Sequence, residues 1–329
     1  MTPADVLGAV MLGALILYAL FGGADFGGGV WDLLASGPRA REQRALVERA
    51  IGPIWEANHV WLVLVVVVLF TGFPRAFATI SIRLFVPLTL LLVGIVLRGA
   101  AFTFRSYDAP HDQVQRRWGL LFSASSVLAP LMLGVSVGQI ASGGAGTFSL
   151  FSLLTGLFAA GLFAFLAAVY LAVEAEGALR EDFRRRAVAA GAAVFALAAA
   201  TAWASAREAP LVFHGLTGRG WSLPLHLATG TAAVAAFASL LLRRFRLARL
   251  AAAVQVALIV IGWGASQYPF LVVPDLTLEH ASAPRRTQVL LAWVLGAGAI
   301  VLFPCLYLLF RVFKGERPFS AVDRARDRT

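Results

Sequence analysis

The sequence predicts an all-α integral membrane protein of about nine transmembrane helices. Of its 329 residues, 59% are hydrophobic and only 14% charged. The apolar residues gather in runs long enough to cross a hydrocarbon layer roughly 30 Å thick. Within those runs polar and apolar residues do not alternate. Every backbone N–H and C=O in hydrocarbon needs an internal partner, so a span is either a helix or part of a closed barrel, and barrel strands alternate. Runs without alternation are therefore helices. The mean hydropathy of +0.79 agrees. A net charge of +10 does not point to nucleic acid, because the basic residues are spread over short loops rather than gathered in one patch.

The runs lie at 6–34, 53–73, 76–101, 117–141, 148–174, 185–206, 223–242, 247–270 and 287–311. The first lacks any Lys or Arg before Arg39 and carries Asp5 near its start, unlike a cleaved signal peptide, so it is expected to persist as a helix. Arg39, Arg41, Arg44 and Arg49 separate it from the second run, whose Pro53 suits a first helical turn. Arg75 and Arg83 flank the start of the third, and Arg98 lies near its end. Arg105, Arg116 and Arg117 precede the fourth, and the fifth follows without a basic residue between them. Arg180, Arg184, Arg185 and Arg186 lead into the sixth, and Arg207 and Arg219 separate it from the seventh. Arg243, Arg244, Arg246 and Arg249 introduce the eighth, and Arg285 and Arg286 the ninth.

Cytoplasmic loops retain positive charge. The odd-numbered loops and the tail hold 21 of the 28 Lys and Arg residues, which places them in the cytoplasm and, with nine spans, the amino terminus outside and the carboxyl terminus in the cytoplasm. The longest loops, about 15–18 residues, leave no room for a soluble domain. The expected organisation is one membrane domain over 1–315, compatible with two four-helix bundles plus one peripheral helix, and a short basic cytoplasmic tail over 316–329.

An ionisable side chain near the bilayer centre costs roughly 2.5–3.5 kcal/mol, so it faces protein or water and usually has a task. Asp25 lies in Gly22-Gly23-Ala24-Asp25-Phe26-Gly27-Gly28-Gly29, and Glu56 in Gly52-Pro53-Ile54-Trp55-Glu56-Ala57-Asn58-His59-Val60-Trp61. Asp32 falls two turns beyond Asp25 on the same helix face, roughly 10 Å along, near the cytoplasmic end where water is expected. The glycines allow close helix packing or local unwinding. Glu56 and His59, three apart, share a face and can hydrogen-bond or exchange a proton, whereas Asn58 points elsewhere. Trp55 and Trp61 read as interfacial or packing residues. Arg98 is a candidate counter-ion at the depth of the acids or a snorkelling anchor, and Arg105 is expected at the surface.

Five histidines offer little for haem. His111, His214 and His280 read as loop residues, while His59 and His226 sit in opposite halves of the bilayer, so no pair is expected to ligate one iron. The single cysteine, Cys305, reads as a small packing residue and forms no disulfide or cluster framework.

Gly-Ala-Asp-Phe-Gly-Gly-Gly at 23–29, Gly-Pro-Ile-Trp-Glu-Ala-Asn-His-Val-Trp-Leu at 52–62, Phe73-Pro74, and Leu97-Arg98-Gly99 followed by Phe102 and Arg105 resemble subunit II of the cytochrome bd-type quinol oxidases. The resemblance is specific over 6–107 and topological beyond, apart from Gln267-Tyr268-Pro269-Phe270. It implies a complex of the bacterial cytoplasmic (inner) membrane that oxidises quinol and reduces dioxygen to water, with haem b and haem d mainly in subunit I and this chain a non-ligating or weakly ligating subunit. It also implies that this chain packs against subunit I and contributes a proton-uptake path, in which Glu56 and Asp25 match the family's acids. It leaves room for a bound quinone and small accessory membrane subunits. The family often has Asp-Gly-Asn at 56–58 and an amide or acid at His59, and Gly22 replaces the first acid of its Asp-Gly-Phe-Asp pattern. The rival reading is a proton- or cation-coupled secondary transporter, with Asp25 binding the ion where the glycines break the first helix.

Overall fold

The computed structural model describes residues 2–51, 55–107, 112–144 and 148–314, excluding the side chains at 51, 55–57, 106–107, 112–116, 310 and 312–314. The expected tail and His111 lie outside the described residues. The chain forms α1 (Pro3–Leu33), α2 (Ala40–Ile51), α3 (Trp55–Gly72), α4 (Pro74–Arg83), α5 (Phe85–Tyr107), α6 (Asp112–Ala141) and α7 (Leu150–Glu174). It continues with α8 (Gly177–Glu208), α9 (Pro210–Gly218), α10 (Ser222–Leu241), α11 (Phe245–Gln267), β1 (Phe270–Val272), β2 (Leu276–Thr277), α12 (Leu278–Ala281) and α13 (Arg285–Lys314). Among the described residues, eight helices are long and apolar enough to cross a membrane, or nine if the bent pair α3–α4 counts as one span.

Local chemistry sets several boundaries. A reciprocal cap starts α1: Asp5 N–H donates to Thr2 Oγ1 at 3.2 Å and Thr2 N–H donates to Asp5 Oδ2 at 2.8 Å, which satisfies two otherwise orphan donors. Ser149 Oγ accepts from Ser152 N–H at 3.2 Å and caps the start of α7 by that single bond.

The expected third run, 76–101, is divided at Leu84, where α4 ends before α5 begins at Phe85. Phe73 is non-helical and Pro74 opens α4, because proline supplies a preset φ at a first turn but no N–H for a continuing one. Thus α4 leaves α3 at 118°, and the membrane-crossing helix α5 starts only at Phe85. Arg83 pairs with Asp275 at 2.6 Å and Arg75 donates to the His280 carbonyl at 3.1 Å, tying α4 to the hairpin β1–β2 and to α12. The eighth run also ends early. Tyr268 is extended before Pro269, as a residue preceding proline prefers, so 270–272 is a strand rather than helix. His214 and His280, expected in loops, lie in α9 and α12.

Helix α2 was expected to be loop. Its Gln43, Leu46, Val47 and Ala50 are buried while Arg41, Glu42 and Arg49 are exposed, an i, i+3, i+4, i+7 stripe that packs an amphipathic helix onto α1 and α7. The spacing was visible in the sequence; hydropathy over a long window hid it. Val47→Asp is expected to release α2, seen as rapid tryptic cleavage at Arg41, Arg44 or Arg49 in vesicles that resist trypsin in the unchanged protein.

Helices α1, α3, α5 and α6 pack together, as do α7, α8, α10 and α11. The seam between the groups is α1 and α6 against α7, whose run Leu162–Ala172 is almost wholly buried. Helix α13 packs at the margin, on α1 and α3, with Trp61 against Phe303 at 6.4 Å. Its Cys305 is exposed rather than packed among the described residues.

Candidate functional site

The glycines of α1 do not break it; the helix is continuous from Pro3 to Leu33. They bring its backbone against two neighbours. A Cβ at Gly27 would enter the Phe163 carbonyl of α7, and one at Gly29 would enter the Ser126 side chain of α6. This proximity holds the neighbouring α1 residues in a closely packed setting.

Two charge pairs form there. Arg98 Nη2 lies 2.5 Å from Asp25 Oδ1, and both residues are buried, at 1% and 4% exposure. Arg98 Nε donates to Ser126 Oγ at 3.0 Å, and Ser126 donates in turn to the Phe122 carbonyl at 2.6 Å. The guanidinium carbon sits 5.0 Å from the centroids of both Phe26 and Phe122, so aromatic faces cover the cation where hydrogen bonds do not. One α1 heptad further on, Arg105 Nη1 contacts Asp32 Oδ1 and Oδ2 at 3.1 and 3.2 Å, and Ser123 Oγ donates to Asp32 Oδ2 at 2.8 Å. Phe122 lies between the pairs, 6.0 Å from the Arg105 guanidinium carbon. The pairs are rungs of one ladder: each joins α1 to α5 across 73 residues and rests on an α6 serine.

The second rung corrects two expectations. Asp32 is buried, at 3% exposure, rather than solvated. Arg105 does not stand free at the surface; it bonds Asp32 and reaches Glu48 of α2 at 3.7 Å. The reason is α2, which folds over the end of α1 and roofs what would otherwise be an open helix end.

The helix-two motif approaches the first rung from α3. Asn58 is buried beside the Asp25 carboxylate, although Asp25 Oδ2 has no hydrogen bond of normal geometry among the described residues. His59 lies against Tyr18 and Phe26, with ring centroids at 6.1 and 5.9 Å. Glu56 is in the first turn of α3, and its side chain lies outside the described residues. Trp61 is a packing residue facing α13. His226 is on α10, with Nδ1 at 2.7 Å from the Ser222 carbonyl oxygen. Among the described residues no three His, Cys, Asp or Glu side chains gather as a metal site.

The arginine-rich helix ends meet in one layer. Arg39 forms a two-pronged contact with Asp182 at 2.7 and 2.6 Å, and that hydrogen-bonded carboxylate holds the Arg39 guanidinium above its ordinary pKa. Arg186 donates to Gln43 at 2.8 Å and lies over Trp31 and Phe183. A cleft of about 320 Å³ opens beside α2, lined by Arg39, Arg49 and Glu174. Another of about 360 Å³ lies at the opposite end among Arg83, Gln139 and Asp275.

Sequence reasoning missed Tyr18, Phe122, Ser123, Ser126 and the role of Arg105. One signal was available: Asp25 and Asp32 are seven apart, and so are Arg98 and Arg105, as two helices running in parallel require if they pair twice.

The sequence profile of the family "Cytochrome bd terminal oxidase subunit II" matches residues 4–313. The chain belongs to that family. It is therefore a multi-pass protein of the bacterial inner membrane. It is 33% identical to the Bacillus subtilis cytochrome bd ubiquinol oxidase subunit 2 over 99 residues, which is 30% of this chain and 29% of that relative's length. It is 22% identical over 314 residues to a second Bacillus subtilis protein, provisionally named a cytochrome bd menaquinol oxidase subunit II, covering 88% of this chain and 90% of that one. A chain in the structure of bd oxidase from Geobacillus thermodenitrificans shares the fold, with TM-score 0.82, 22% identity, and coverage of 96% of this chain and 100% of that one. For a bd oxidase subunit II, an unbroken α1 with a charge-paired Asp25 gives the transporter reading no support.

Proposed function

We propose that this chain is the second subunit of a terminal oxidase that transfers electrons from quinol to dioxygen, producing water, and that it packs against a haem-bearing subunit I holding haem b and haem d. The family match over residues 4–313 carries this reading. In it, the arginine-rich end faces the cytoplasm, and the amino terminus lies outside. The layer formed by Arg39, Arg44, Arg186 and their partners supports that orientation, because arginine retained on one face is the charge bias of cytoplasmic loops.

Protons for water formation enter along α1 and α3. Glu56 is the carrying carboxyl, His59 and the second oxygen of Asp25 lie next in line, and Asp32 marks the cytoplasmic start. Arg98 balances Asp25, so the site holds a carboxylate in the membrane without net charge, while Asn58 sets its wall on α3 and Trp61 packs that helix against α13. Glu56→Gln is expected to slow oxygen consumption on the order of tenfold or more, within the range that a positioned proton carrier contributes, and to leave the haem spectrum of the complex intact. Oxygen consumption at the unchanged rate in that variant removes Glu56 from the path.

A further inference from the structure

Among the buried polar atoms that lack a hydrogen bond of normal geometry to the described residues are the Tyr18 hydroxyl and Asp25 Oδ2, the latter with the Asn58 side chain beside its carboxylate. Tyr18 is 1% exposed. Both belong to α1, seven residues apart on one face, and Gly22 lies between them. The Tyr18 ring covers Gly22, its Cε2 only 3.0 Å from where a Cβ would stand. The ring therefore lies along the helix toward the Asp25 turn. Helix α3 faces the same place with buried Asn58 and with His59.

A buried hydroxyl and carboxylate oxygen facing hydrocarbon would each carry a full desolvation cost. A ligand that satisfies them must donate to Asp25 Oδ2 and both give to and take from a phenol, and it must be small. A metal cation is unsuited, because Arg98 already neutralises Asp25 and a second positive charge would be left unbalanced. We propose that an internal water molecule joins Tyr18 Oη to Asp25 Oδ2, with the Asn58 amide as its third partner. Three polar partners is the ordinary complement of a buried water. The water lies on the α3 side of the ion pair, opposite Ser126, and so extends the Asp25 carboxylate toward the helix-two motif. That use as a proton step rests on the uptake path proposed above; the water itself does not.

The test is an experimental map of the purified two-subunit complex at a resolution showing ordered water, for the unchanged protein and for Tyr18→Phe, with oxygen consumption measured on both. A peak within hydrogen-bonding distance, about 3 Å, of Tyr18 Oη and Asp25 Oδ2 is expected, lost or displaced in Tyr18→Phe. An unchanged protein with no peak there overturns the proposal, as does a peak that Tyr18→Phe leaves in place. Thermal unfolding gives a second reading. A lower midpoint in Tyr18→Phe is expected because the water loses a partner, whereas a higher midpoint is what deletion of an unpaired hydroxyl gives and counts against the water. A lost peak with unchanged oxygen consumption keeps the water and removes the proton step instead.

Discussion

Arg98→Leu is expected to deplete the protein from the membrane rather than merely slow it. The substitution deletes a guanidinium bonded to Asp25 Oδ1 at 2.5 Å and to Ser126 Oγ at 3.0 Å, leaving a carboxylate at 4% exposure with no cation. Removing one partner of a buried pair costs about 3–5 kcal/mol, a large part of the roughly 5–15 kcal/mol that stabilises a typical domain. Quantitative blotting of membranes and the thermal midpoint of whatever complex can be purified will measure the loss. Adding Asp25→Leu is expected to restore most of the missing protein, since exchanging a whole buried pair for apolar side chains is often close to neutral. Accumulation of Arg98→Leu at the unchanged level would show that the pair does not hold α1 to α5.

The second large effect belongs to Gly27. Here Gly27→Ala places a methyl group into the Phe163 carbonyl, with the carbonyl carbon and the Ala167 methyl also closer than any real Cβ contact. Backbone cannot rotate aside as a side chain can, so α1 and α7 must separate along the seam between the two bundles. Overpacking typically costs about 1–3 kcal/mol, and a clash with main chain belongs at the upper end. Gly13→Ala on the same helix is the control. Nothing lies within 4 Å of its added carbon, and relief of mid-helix glycine entropy is worth about 0.5–1 kcal/mol. Opposite shifts of the thermal midpoint are therefore expected from the same chemical change at two α1 positions. Equal shifts would mean that the seam is looser than its geometry.

The two substitutions also show what a single sequence discloses. Apolar runs revealed the long helices because span length and backbone satisfaction in lipid leave few choices. Asp25 and Glu56 stood out because charge is scarce there. What stayed hidden was relational. Nothing at position 98 says that its partner is 73 residues away, and Ser126 reads as an unremarkable small residue until α6 meets Arg98. Arg105 was placed at the surface because a residue near a helix end usually is. The roof that covers it, α2, has too many charges to register as apolar, although Leu46, Val47 and Ala50 follow a helical stripe. The division of the third run at Leu84 escaped for another reason: hydropathy averages across a turn and so joins α4 to α5.

The ladder has an electrical consequence as well. A membrane potential exerts force on net charge, and carrying one elementary charge through 100 mV corresponds to about 2.3 kcal/mol. Each rung joins one carboxylate to one guanidinium and sums to zero, so an energised membrane exerts little net force on α1 and α5 at these points. Any charge that moves past them registers the voltage in full proportion to the depth it crosses. The scaffold is thereby mechanically indifferent to a field that would act in full on any unpaired charge crossing beside it.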